Sequence, residues 1–124
     1  MREIRSRSLE SIVTDLQKSP DHNVRGKALE LLAIRLCQML GLEFMGWRTT
    51  DIALAGGGEV DALLHSKRLV YSRWQIQCKV GPISLEAVAK EVGMQQVALS
   101  NVILIASTER ATNSAETYRR KIVG

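Results

Sequence analysis

The sequence predicts a three-layer α/β domain, a small mixed sheet flanked by helices. Three observations carry this. Helical and strand-like periodicities alternate in the order α-α-β-β-β-α-β-α. The run Val102-Ile103-Leu104-Ile105-Ala106 is continuously apolar and of strand length, the type of run usual in the middle of a sheet covered on both faces. The chain has 124 residues, 45% hydrophobic and 24% charged, which fits one globular domain and hardly leaves room for two.

Each element follows from local pattern. Leu9, Ile12, Val13 and Leu16 recur at helical spacing, so an amphipathic helix is expected over 5–18, as an N-terminal segment (1–18) ahead of a domain spanning 19–124. Its apolar stripe must be buried in this core or in a partner. Ser19 or Asp21 can cap a second helix, with Pro20 suited to its first turn. That helix runs over about 22–40 and stops at Gly41, a C′ residue. A strand over 42–48 and a loop over 49–58 with Gly56-Gly57-Gly58 come next. Runs 59–65 and 70–80 read as a hairpin turning at Ser66-Lys67-Arg68. Gly81-Pro82 breaks the chain, and Ser84 opens a third helix ending near Leu99. The Val102 strand and a helix over about 112–122 complete the order.

Several function classes drop out. The longest uncharged apolar run, 101–106, is too short to span a bilayer. The N-terminal residues lead into no signal-like segment. Cys37 and Cys78 form no C-x-x-C pair, so free thiols in a cytoplasmic setting are expected. His22, His65 and the two cysteines lack zinc spacing. The glycine triplet lacks the G-K-[ST] of a phosphate loop and precedes a strand. Seventeen Lys+Arg against 13 Asp+Glu give a net charge of +4, which permits a polyanionic partner without demanding one. Clusters at Arg2, Arg5 and Arg7, at Lys67 and Arg68, and at Arg119, Arg120 and Lys121 read equally well as solvated surface or phosphate contacts.

Polar residues on apolar faces are more informative. On a helical wheel Glu30 lies beside Gly26, Ala33, Cys37 and Ile34, apart from Lys27, Gln38 and Arg35. It therefore falls inside or at the edge of the packing face, where a carboxylate needs compensation. A structural salt bridge and a functional site are both open. Strand alternation puts Asp61 with Leu63 on one face of the hairpin, and Gln75, Gln77 and Lys79 together on one face of the next strand. If the arms pair, an acid, an amide and a lysine converge at one sheet end. The competing reading is a solvated face, although Leu63 interrupts it. Glu30, Asp61 and Gln77 make an oxygen-rich set suited to a hard cation, and Lys79 could orient a water or offset charge on a phosphate.

At these residues the sequence resembles the restriction-endonuclease-like PD-(D/E)xK superfamily, and is most similar to its Mrr-like branch, where glutamine commonly replaces the second acid. The matching stretches are Gly26-Lys27-Ala28-Leu29-Glu30, Gly58-Glu59-Val60-Asp61 and Gln75-Ile76-Gln77-Cys78-Lys79-Val80, within residues 23–122. The resemblance implies the restriction-endonuclease-like fold and Mg²⁺- or Mn²⁺-dependent hydrolysis of DNA, with a non-cleaving DNA-binding module of the same fold as the alternative. It implies Asp61 as central metal ligand, with Glu30, Gln77 and the Cys78 backbone carbonyl completing the site. Lys79 would position or activate the attacking water. Gln95 or Gln96 on the third helix would reach nucleic acid, as would Lys67 and Arg68. Two departures stand out. Gln77 carries no charge, leaving −2 from Asp61 and Glu30. The family core also commonly continues into another strand, so either a domain cut from a larger protein or an abbreviated form of the fold is expected. A homodimer, further domains and the choice among duplex, modified or branched DNA and RNA stay open.

Overall fold

The computed structural model describes residues 7–49, 60–67 and 71–123. Eight elements follow the expected order. They are α1 (Leu9–Lys18), α2 (His22–Met39), β1 (Glu43–Thr49), β2 (Val60–Ser66), β3 (Ser72–Lys79), α3 (Leu85–Ala98), β4 (Val102–Ser107) and α4 (Asn113–Val123). The four strands form one mixed sheet in the order β1-β2-β3-β4. The first two pairings are antiparallel and β3–β4 is parallel. The fold is the restriction-endonuclease-like α/β arrangement.

Side-chain chemistry sets the helix ends. Ser8 caps α1 by accepting from the Ser11 N–H at 3.1 Å, so that helix starts later than residue 5. Asp21, not Ser19, caps α2, its Oδ1 accepting from the Asn23 N–H at 2.9 Å. Pro20 consequently lies before the cap and not in the first turn. Gly41 leaves α2 at φ +90°, a left-handed conformation that glycine adopts without strain. Ser84 caps α3 through the Ala87 N–H.

The main core lies between α2 and one sheet face. Ala28, Leu31 and Ile34 of α2 meet Ala62 and Leu64 of β2 and Ile76 of β3. Ile12 of α1 is fully buried in the same cluster. The apolar stripe of α1 thus packs into the chain's own core. Arg35 Nη1 donates to the Arg7 carbonyl at 2.7 Å, and Arg25 Nε to the Leu16 carbonyl at 3.0 Å, tying α1 to α2.

The opposite sheet face is not the solvated side that its polar residues suggest. Gln75 is fully buried and Leu63 nearly so. Gln75 Nε2 donates to the Glu91 carbonyl and to Glu91 Oε1, both at 3.0 Å, and Ser100 Oγ donates to Gln75 Oε1 at 2.7 Å. The sequence gives little warning of Glu91, which is 1% exposed.

One expectation is corrected. The Val102 run does not lie mid-sheet. Among the described residues β4 is an edge strand, and its side chains are half-buried throughout. A continuous apolar run reports covered faces, and it says nothing of a neighbour on each side.

Two outcomes follow. Ile12→Ala should cost about 2–5 kcal/mol in denaturant unfolding, as for other fully buried aliphatic truncations. Burial pushes the Glu91 carboxyl above its ordinary 4.5, with the Gln75 hydrogen bond and the Lys90 charge opposing it only in part. Its contribution to stability is therefore full below pH 4.5 and is lost as pH rises through the raised folded value. Glu91→Gln keeps an acceptor for Gln75, so the Tm difference between variant and wild type should grow with pH in melts from pH 4.5 to 8. Parallel Tm curves would exonerate Glu91.

Candidate active site

The strands part where the acid sits. Pairing of β2 with β3 ends at Ala62–Ile76. The next pairs in register, Asp61 with Gln77 and then Val60 with Cys78, are not made. Instead the Cys78 N–H donates to Asp61 Oδ2 at 2.6 Å. A side-chain carboxylate thus satisfies a backbone donor that the ladder leaves unmet. On its other flank β3 stays paired with β4 to its end, with Gln77 beside Ile105 and Lys79 beside Ser107.

Gly81 then turns the chain away at φ +121°. Its N–H donates to Thr108 Oγ1 at 2.9 Å, and the Thr108 N–H reaches the Lys79 carbonyl at 3.2 Å. The end of β3 is thereby fixed on the side away from Asp61.

α2 supplies the remaining wall. Glu30 is only 6% exposed, on the helix face that carries Ala33 and Cys37 into the core. Glu30, Asp61, Gln77, Cys78 and Lys79 line one cleft of about 460 Å³. The outer part of that cleft is lined by His22, Asn23, Gly26 and Lys27 from the start of α2. The structure therefore brings together all four side chains singled out in the sequence, from one helix and two adjacent strands.

Electrostatics at the site are read most directly from Cys78. Burial raises its thiol well above the ordinary range, and the neighbouring carboxylates of Asp61 and then Glu30 raise it further. A thiolate nucleophile is therefore disfavoured. Gln77 Oε1 is buried and has no hydrogen-bond partner among the described residues. A buried carbonyl oxygen without a donor is uncommon and calls for an explanation. With two carboxylates in the same cleft, that oxygen fits a hard divalent cation, which selects oxygen donors. Among the described residues no three His, Cys, Asp or Glu side chains group closely enough to hold a metal by themselves. A cation held here would take the amide oxygen beside the two carboxylates.

Other expected residues lie elsewhere. Gln95 lines a separate, mainly apolar cavity between β4, α3 and α4, and Gln96 is exposed on the same part of α3. Lys67 follows the Ser66 end of β2, six residues from Asp61, or about 20 Å along a strand. Arg68, Arg2, Arg5 and Gly56-Gly57-Gly58 lie outside the described residues. The sequence reading missed His22, Asn23 and Lys27 as cleft residues. The available signal was helical for Asn23, which falls on the face of Glu30 two turns before it, whereas Lys27 lies on the polar arc and His22 well off that face.

Architecture and cleft together put the chain in the restriction-endonuclease-like class of α/β domains. The family model Mrr_cat, described as a restriction endonuclease, matches residues 22–123, and the chain belongs to that family. No curated protein and no solved structure matched the chain. Among the described residues no helix is long and apolar enough to cross a membrane.

The dual position of Asp61 has a measurable consequence. Asp61→Ala should cost about 1–3 kcal/mol of stability, because the buried Cys78 N–H loses its acceptor. Asp61→Asn, which retains an oxygen there, should stay closer to wild type in the same thermal or denaturant melts.

Proposed function

We propose that the chain is the catalytic domain of a divalent-metal-dependent endonuclease that hydrolyses DNA phosphodiester bonds. The observation that carries this reading is the meeting of Glu30, Asp61, Gln77 and Lys79 in one open cleft, with the Gln77 oxygen buried and unsatisfied among the described residues. Membership of a restriction-endonuclease family supports it.

In this reading Asp61, Glu30, Gln77 Oε1 and the Cys78 backbone carbonyl would hold Mg²⁺, or Mn²⁺ in its place, which would supply Lewis-acid polarisation of the phosphoryl group and a more acidic water. Asp61 keeps its outer oxygen in place by anchoring the other on the Cys78 N–H. Lys79 orients the attacking water and offsets negative charge on the phosphoryl group as the bond breaks. Among the charged groups named in the cleft, Asp61 and Glu30 carry −2 and Lys27 and Lys79 carry +2. The balance is formally neutral, so a divalent cation turns the cleft electropositive and favours a phosphodiester.

A second reading, a DNA-binding module that no longer cuts, is favoured by one observation. Gln77 is uncharged where an acid would bind metal more strongly. It predicts salt-sensitive DNA binding that needs no metal.

Plasmid nicking separates the two. Wild type should nick in Mg²⁺ or Mn²⁺ and stop in chelator. Lys79→Ala should lose at least 100-fold in rate, within the usual range for a group that transfers or orients a proton, while melting like wild type. Equal nicking by Lys79→Ala would remove the assigned role. Binding without nicking in either metal would favour the second reading.

A further inference from the structure

We propose that one nucleic-acid strand runs along the first two turns of α2, its sugar-phosphate backbone crossing over Gly26. This rests on the nuclease reading and extends it by placing the nucleotides that flank the scissile bond. The cleft does not end at the acids. It continues from Asp61 and Gln77 past Glu30 to Gly26, Lys27, Asn23 and His22. Eight helical positions separate His22 from Glu30, about 12 Å of rise, which is the axial length of roughly three nucleotides of one strand.

The two halves of the cleft differ in chemistry. The inner half holds both acids. The outer half offers an amide, an imidazole and an ammonium, with no acidic residue among its lining. That is a set of hydrogen-bond donors and positive charge suited to phosphate oxygens.

Gly26 sits between the halves. It lies mid-helix, where glycine is a poor helix former, and packing does not require it, because an added Cβ would meet nothing within 4 Å. No strained backbone angle requires it either, since α2 is regular there. A helix glycine with open space above it is not informative by itself. Gly93 of α3 has the same free space, but it is exposed and does not line the cleft. What distinguishes Gly26 is that it lines the cleft, where an added side chain would project into open space. Removing the Cβ lets a ligand backbone come close.

The pair of glycines supplies a matched test. Gly26→Leu and Gly93→Leu each replace glycine by a strong helix former, so both should melt at or above the wild-type temperature. Binding of a fluorescein-labelled duplex oligonucleotide is read by anisotropy in chelator, and nicking is read in Mg²⁺. Gly26→Leu should weaken binding at least tenfold and slow nicking, and Gly93→Leu should stay within twofold on both. Lys27→Gln should reduce the slope of log K against log salt by about 0.9, the loss of one phosphate contact.

Wild-type binding and nicking by a folded Gly26→Leu overturns the inference and leaves the nuclease reading standing. Equal losses in Gly26→Leu and Gly93→Leu also overturn it, because the effect would then not belong to the cleft. Should Gly26→Leu fail to melt cooperatively, the salt slope of Lys27→Gln decides. A wild type that neither binds nor nicks DNA overturns the nuclease reading and this inference with it.

Discussion

The site depends on one hydrogen bond, from the Cys78 N–H to the Asp61 carboxylate. Two neighbouring strands cannot stay paired and also leave room between them for a substrate. Here the ladder stops after Ala62–Ile76, and the Cys78 backbone donor is met by the Asp61 side chain. The acid thus closes the sheet and opens the cleft. A carboxylate does this better than a neutral acceptor, because a charged acceptor makes the stronger bond. The parallel partner β4 holds the other flank of β3 in register through Lys79, so the parting is confined to the β2 side.

The second constraint is the burial of charge against the core. Glu30 occupies a helix position whose neighbours Ala33 and Cys37 are packed in the interior. Its negative field and that of Asp61 both fall on the Cys78 thiol, which burial already holds protonated. Like charges brought together in this way are costly unless an opposite charge joins them. The same cleft places Lys27 and Lys79 with the two carboxylates, so opposite charge accompanies them there, and the buried Gln77 oxygen has no hydrogen-bond partner among the described residues.

Much of the fold was legible in the sequence because periodicity reports which faces are covered. The order of eight elements, the Ser84 cap and the Gly41 exit follow from short-range chemistry that the chain spells out. Glu30 stood out because a carboxylate on an apolar stripe breaks the pattern. Asp61, Gln77 and Lys79 stood out because alternation put them on one face. What could not be read was lateral and long-range. Nothing local says that β4 has a strand on only one side within the described sheet, or that Gln75 meets Glu91 sixteen residues away. Nor does spacing alone show how far the cleft extends along α2, since that depends on which side of the helix the sheet leaves uncovered. Lys67 illustrates the same limit: a turn can be located by pattern, and its distance from the cleft cannot.

The family match begins at His22, yet the interior does not respect that boundary. Ile12, ten residues earlier, fills the same cluster as Ile34 and Leu64, and two arginines of α2 hold carbonyls of the segment carrying Ile12. The stretch that matches the family is thus smaller than the stretch that builds the core. α1 braces the helix that carries Glu30, so a segment outside the family match helps to set where one wall of the cleft stands.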